Sequence, residues 1–528
     1  MSNALAGSKL TSRHLRGIKS PAMLVLLLGL LFALLLALPG VTIVTRSLDE
    51  LLLFVAGVHR IVEGQVPSRD FLTDLGPLTY YLPALAYAFT GSYGAALPLA
   101  LGSMVAIMAV IASHVLASRL HPFLALPFAA FLLLILAAPM NLGEPIAALS
   151  FTMFYNRLGW VALALLLTLY LTPRPDASSF RADAISAAGL TILLLYLRAP
   201  YGFVALSFLL FMLTDGAQRR WAAAALLATV GAVAAMALLW SGSSPYWSQA
   251  LAALQVDGKP WFDLERLLRP ALGHLVDLLL LGLLVVVALW RRWRWRDVAF
   301  FLLCVIGGLW LLSYNVQRWG VITIHLAAVV AAEQLIRKMD EDGGGDGAVV
   351  NRSGITLYML AFVLPTIVHC GLALILHAGA ATVRAGEPLA LERVEGVYLA
   401  DLWPGGDQRG ALSYANSVRE GLALLDKQPE SAEGLAVFGS VDAFTPVLDL
   451  APAASVSLDM RWPSLVAQGS HSPENILKES KTVLVRRSGE LGARLPALYM
   501  QYLTANFFQA DESANWLLYR RTGAGSSM

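Results

Sequence analysis

The sequence predicts a polytopic α-helical membrane protein of about eleven transmembrane helices, followed by a small α/β domain. Three observations predict it. Mean hydropathy is +0.64, and of the 528 residues 57% are hydrophobic and 14% charged, against roughly a quarter charged in ordinary soluble domains. Pro21–Val44 and Trp221–Trp240 carry no charge, and Ala271–Trp290 carries only Asp277; at about 1.5 Å per residue, roughly twenty such residues cross the hydrocarbon core. Basic residues fall in clusters between the apolar runs: Lys9, Arg13, Arg16 and Lys19, then Arg174 with Arg181, Arg219 with Arg220, the run from Arg291 to Arg296, and Arg337 with Lys338. Such clusters mark the cytoplasmic side, so residues 1–20 are expected there with every later cluster.

The elements follow in order. Pro21–Val44 is too long and leucine-rich for a cleaved leader, and no small-residue cleavage site follows it, so it reads as a retained span. The first outer loop is 45–92. Within it Gly76–Gly91 (GPLTYYLPALAYAFTG) is apolar but short, with prolines at 77 and 83. If it crossed, every later basic cluster would fall outside; it therefore reads as a tyrosine-rich interfacial helix that does not span. The expected spans are 21–44, 93–117, 122–139, 158–172, 184–197, 200–214, 221–240, 270–290, 298–313, 320–336 and 355–378. They make a transmembrane domain over 21–378 that leaves the C-terminal end outside, in the periplasm if the membrane is a bacterial inner membrane. Residues 340–354 (DEDGGGDGAVVNRSG) read as a flexible cytoplasmic linker. Cys304 and Cys370 fall in apolar runs and read as packing thiols.

From 379 to 528 the charges become evenly mixed. Leu435–Gly439, Thr482–Arg486 and Trp516–Tyr519 read as buried strands, with helical pattern at Ser413–Asp426. About 150 residues suffice for a separate core.

Thr45–Leu75 (TRSLDELLLFVAGVHRIVEGQVPSRDFLTDL) is the most informative stretch. Leu48, Leu51, Val55, Val58 and Val62 form an apolar stripe at helical spacing, with Asp49, Glu50, His59, Arg60 and Glu63 among the other positions. This predicts an amphipathic helix along the outer membrane face. Ser47 to Glu50 fits a capping box, and acids in a first turn favour the helix dipole. The same two acids also stand where a lipid-borne substrate would present its head group. A carboxylate there can take a proton from an acceptor or hold a divalent metal ion such as Mg or Mn. Both readings stay open.

A first span, an acid just beyond it, the helix ending near EGQVPSRDF and then DLGPLTYYLPALAYAFTG together resemble the integral-membrane glycosyltransferases of the GT-C superfamily. Within it the bacterial aminoarabinose-transferase and protein-mannosyltransferase-like branch is nearest. The resemblance is firm over residues 40–120, general over 120–378 and weak over the tail. It implies a GT-C-like fold and sugar transfer from a polyprenyl-phosphate donor to a glycan, lipid or protein acceptor on the periplasmic side. Relatives often carry a lysine before the proline pair, at the donor phosphate; here Gly76-Pro77-Leu78 stands instead. Their second-loop acid corresponds to Glu144, in NLGEP.

Cations are few in the expected outer loops and include Arg69, Arg157, Arg198, Lys259, Arg266, Arg269 and Arg318. A guanidinium fork suits phosphate, and membrane-buried cations are costly and often functional. Each can equally snorkel toward lipid head groups. The expected site therefore has Asp49 as base, Glu50 and Glu144 as partners or metal ligands, Arg69, Arg157, Arg198, Lys259 and Arg318 at the donor phosphate, and Tyr80, Tyr81 and Tyr155 along a lipid or acceptor groove. A polyprenyl phosphate is already a good leaving group, so an inverting transfer needs a base and cationic stabilisation rather than a general acid. The rivals are a lipid-linked glycan transporter or flippase, and a catalytically inactive GT-C-like assembly subunit. Nucleic acid is not an expected partner: RRWRWR at 291–296 is a topology signal.

Overall fold

The computed structural model describes residues 20–73, 75–174, 179–253, 264–313, 320–342, 351–403, 408–427, 434–439, 441–453, 472–487 and 497–522. Lys259 and Arg318 lie outside them, as does most of the glycine-rich linker. In chain order the elements are α1 (Pro21–Ala37), β1 (Thr42–Val44), α2 (Leu48–Val62), α3 (Leu78–Thr90), α4 (Tyr93–Arg119), α5 (Pro122–Ala137), α6 (Phe154–Thr168), α7 (Phe180–Leu197), α8 (Ala199–Met212), α9 (Arg219–Leu239), α10 (Ser243–Ala253), α11 (Leu264–Gly273), α12 (Leu275–Arg291), α13 (Trp295–Ser313), α14 (Ile322–Glu341) and α15 (Arg352–Thr382). Then come β2 (Glu387–Pro388), β3 (Val397–Leu399), α16 (Gln408–Asp426), β4 (Leu435–Phe438), α17 (Phe444–Leu448), α18 (Pro473–Ile476), β5 (Thr482–Arg486), α19 (Ala497–Asn506), β6 (Phe507–Glu512) and β7 (Trp516–Arg521).

Among the described residues five helices, α4, α7, α9, α13 and α15, are long and apolar enough to cross a membrane. A sixth crossing is available if Leu267–Gly273 and α12, bent by 84° at a short break, form one span. Four shorter helices, α1, α5, α6 and α8, are equally apolar. The first apolar run does not stay helical to Val44. Leu38-Pro39-Gly40 ends α1, with Gly40 at φ +65, because proline removes a ladder donor and glycine accepts the left-handed turn. Thr42–Val44 then becomes a strand.

Helix ends sort into two groups. At an arginine-rich end, the Arg119 guanidinium closes α4 on Leu171 O, 3.0 Å away, and on Asp183 in the first turn of α7 at 2.7 Å. Glu333 of α14 accepts from the His121 N–H ahead of α5 and pairs with Arg174. Arg296 of α13 meets Asp215 beyond α8 at 2.6 Å, and Arg352 of α15 pairs with Asp340 of α14. At the opposite end lie β1, the start of α2, the start of α6 and the α7–α8 turn; the end of α15 joins them, where His377 Nε2 accepts from the Ile43 N–H.

Helix α3 has both ends at this second end. Gly76 N–H donates to Leu197 O at 3.0 Å, and beyond the Gly91 turn Thr42 Oγ1 donates to Gly94 O at 2.6 Å. It therefore lies across the bundle end rather than running through it.

The C-terminal elements are joined to that end by strand pairing. β1 pairs in parallel with β3 and β2 completes the sheet. Gly94 touches the Gly396 backbone so closely that a Cβ on it would stand 2.2 Å from Gly396 C. A second sheet has the order β4-β5-β7-β6, with β4 and β5 parallel. Three of its strands fall on the segments that read as strands; β6, the edge strand (FFQADE, mostly exposed), carried no buried pattern to reveal it. One apolar core runs from the bundle through α2 to Val418, Phe444 and Trp516.

This changes the reading of α2. His59 and Arg60 do not face head groups or water; they face the C-terminal elements. His59 Nε2 lies 2.8 Å from Leu450 O. Arg60, 1% exposed, donates to Gln65 Oε1 and to Ala453 O at 2.9 and 3.0 Å and stands 3.7 Å from the buried Asp442 carboxylate. The distant strand pairing that brings these partners leaves no local trace in the sequence.

Candidate functional site

The second end gathers the polar groups around the starts of α2 and α6. Both helices begin at a strained residue. Ser47, at φ 52, makes no side-chain capping bond to α2, so the capping-box reading of Ser47 to Glu50 does not hold. Met153, also at φ 52, begins α6. A non-glycine residue held left-handed costs about 1–3 kcal/mol and persists where surrounding contacts over-determine it. What fixes these two is the 138–153 segment. Thr45 N–H donates to Leu149 O, Thr45 Oγ1 donates to Ala147 O at 2.7 Å, and Ser150 N–H donates to Pro139 O.

Asp49 and Glu50, half-buried, stand in the first turn of α2. Glu50 precedes Phe54 by one turn and shares its face, and the Phe54 ring packs 5.0 Å from Phe154. Glu144 is brought to the same backbone: its carboxylate pairs with Arg46 at 3.4 Å, each side chain a little over one-quarter exposed. Arg46 escaped notice in the sequence although it stands three residues before Asp49. That guanidinium gives the Glu144 carboxylate the counter-charge that a metal ion would otherwise supply. Among the described residues, the side chains close enough to share an ion are His59, Glu63 and Asp449. There Arg393 already holds Asp449 at 2.8 Å.

The first turn of α6 supplies the cations' setting. Arg157 is 1% exposed. Its Nη1 donates to Met140 O at 2.8 Å and Thr152 O at 3.0 Å, while Nε and Nη2 are buried and make no hydrogen bond among the described residues. Asn156 accepts from Arg198 Nη1 through Oδ1 at 3.0 Å. The Arg198 guanidinium lies 5.5 Å from the centre of the Tyr155 ring. Arg198 thus reaches the first turn of α6, where it meets Tyr155 and Asn156, the residues just before Arg157; Asn156 is the link that the sequence did not suggest.

The remaining expected residues sit apart from that link. Arg69 spends its fork on Asp70, with bonds of 2.8 and 2.6 Å, and donates Nη1 to Ser241; the hydrogen bonds from Arg69 hold the Asp70 carboxyl below its usual range. Tyr81 accepts from Trp240 Nε1 at 3.2 Å. Tyr80 is 1% exposed, packs against Gly57 and shares a hydrogen bond with Thr73 at 2.7 Å. It is a packing residue between α2 and α3, with no surface to offer a groove.

No known protein family has a model that matches the chain, and no curated protein matches it.

Proposed function

We propose that the chain is a GT-C-like glycosyltransferase of a bacterial inner membrane. In this reading it moves a sugar with inversion from a polyprenyl-phosphate donor to a periplasmic glycan, lipid or protein acceptor. The observation that carries the proposal is Arg157: a wholly buried guanidinium with Nε and Nη2 unbonded among the described residues. Leaving a buried cation without full compensation costs several kcal/mol, on the order of 3–5, and such groups inside membrane proteins mark function. An anion completes it, and a departing phosphate is the anion this reaction makes. Arg198 would act beside it, through its bond to Asn156, the residue before Arg157. In this reading Asp49 is the base and Glu50, on the face of Phe54 that meets Phe154, its partner.

The same reading takes eleven membrane passes: the five long helices, the bent pair as one, the four shorter apolar helices and α14 would alternate between the two bundle ends. With the arginine-rich end cytoplasmic, the C-terminal elements from 379 form a periplasmic domain over the acids, and α3 is the interfacial helix.

The test is purified protein with polyprenyl-phosphate sugars, scored for sugar transfer and for released polyprenyl phosphate. Asp49→Asn is expected to lose about 10²–10⁴-fold in rate, the range of a general base. Glu50→Gln is assayed beside it, because Glu50 shares the face of Phe54. Full activity in both variants removes the acids from the chemistry. A wild type that moves the lipid without releasing polyprenyl phosphate is a transporter, and one that does neither is an assembly subunit.

A further inference from the structure

At the arginine-rich end, away from the acids, the ends of α12 and α14 and the start of α13 enclose a cavity of about 120 Å³. A single water needs about 10–15 Å³ on that measure. Six cations line it, Arg291, Arg292, Arg294, Arg296, Arg337 and Lys338, against the carboxylates of Asp215 and Asp297. A topology signal alone requires basic residues near helix ends; it does not require them to converge on one hollow.

The ion pairs leave a surplus. Asp215 is taken by Arg296 at 2.6 Å. Asp297 accepts from the neutral Tyr170 hydroxyl and Gln334 amide. Glu333 takes Arg337, Glu341 takes Arg292 at 3.6 Å, and Asp342 takes Lys338 at 2.7 Å. Arg291 and Arg294, both exposed, have no acidic partner among the described residues. Arg296 is fixed further by the Tyr170 and Phe211 rings, 6.0 and 5.6 Å from its guanidinium carbon, so one wall is rigid while two forks remain available. Guanidinium forks in a concave, half-apolar setting suit a phosphate's oxygens, and basic hollows between helix ends take anionic head groups.

We propose that this cavity binds a phosphate group, held by Arg291 and Arg294 against the fixed Arg296 wall. The proposal stands independently of the transferase reading.

The test is native mass spectrometry of the full-length protein in neutral detergent at low ionic strength, titrated with phosphatidylglycerol, phosphatidylcholine and inorganic phosphate. Arg291→Gln with Arg294→Gln is compared with Arg219→Gln with Arg220→Gln, exposed cations at the same end that do not line the cavity. The cavity variant is expected to bind phosphatidylglycerol about thirtyfold more weakly than wild type, at roughly fivefold for each surface cation; the control variant stays within about twofold. Inorganic phosphate that displaces the lipid marks the ligand as free phosphate; failure to displace marks it as the lipid diester. Equal loss in both variants, no loss in the cavity variant, or equal binding of phosphatidylcholine overturns the proposal.

Discussion

At the residue scale, Arg157 separates stability from function. Its Nη1 satisfies two carbonyls, while the rest of the guanidinium is buried without hydrogen-bond compensation among the described residues. Replacing it by methionine removes a desolvated charge and orphans two acceptors, so the two effects oppose. Arg157→Met is expected to melt within about 1.5 kcal/mol of wild type while losing donor binding, read by a thermal shift on adding polyprenyl-phosphate sugar. A variant that both melts normally and keeps the donor shift removes Arg157 from the phosphate site. Arg157, Arg198 and the acids were legible in the sequence because charges near apolar run ends are rare and therefore conspicuous. Arg46, Asn156 and the burial of Tyr80 were not. Arg46 gains a partner only when the fold brings Glu144 from the 138–153 segment to it. A tyrosine-rich interfacial pattern reads the same whether a given ring meets lipid or, as at Gly57, another helix.

At the element scale, α2 was legible as a helix and illegible as a buried one. Its apolar stripe is local, but the partners of its polar face come from residues almost four hundred positions later: Leu450 and Ala453 lie 391 and 393 positions from the residues they meet. The ion pair between Arg60 and Asp442, both at most 4% exposed, is the test of that docking. Asp442 also accepts from the Thr445 hydroxyl at 2.8 Å, so removing the arginine leaves a buried, already organised carboxylate without its counter-charge. Arg60→Ala is expected to cost about 3–5 kcal/mol, and Arg60→Ala with Asp442→Asn less than the sum of the two single changes. Thermal unfolding of the four proteins in detergent measures the coupling; additive losses refute it. Gly94 checks the same junction through sterics. A methyl there meets the Gly396 backbone, which cannot step aside as a side chain would, whereas Gly231 has open space for one. Gly94→Ala is expected to destabilise by about 1–3 kcal/mol, and Gly231→Ala to leave the melting temperature unchanged or raised, since alanine is the better helix former.

At the scale of the whole molecule, the two bundle ends differ in kind: one is crowded with arginine, and the other holds the strand pairing and the acids. The sequence made the apolar helices and their basic ends legible because hydropathy and basic clustering are counted over long windows, where local exceptions average out. The bent α11–α12 break and the early end of α1 were lost in that averaging, since one proline or glycine barely moves a window. The arrangement makes a parity prediction. Arg220 marks the arginine-rich end and Glu395 the strand-paired end, and both are exposed. Cys304 and Cys370 are fully buried, so neither competes for a polar thiol reagent. In intact cells expressing single-cysteine additions, Glu395→Cys is expected to react with a membrane-impermeant maleimide, and Arg220→Cys only after permeabilisation. Labelling of both positions from one side would mean an even number of passes between residues 220 and 395, where this arrangement has five. In that event the bent α11–α12 pair or α14 does not cross, because in that stretch α9, α13 and α15 are each long and apolar enough to span alone.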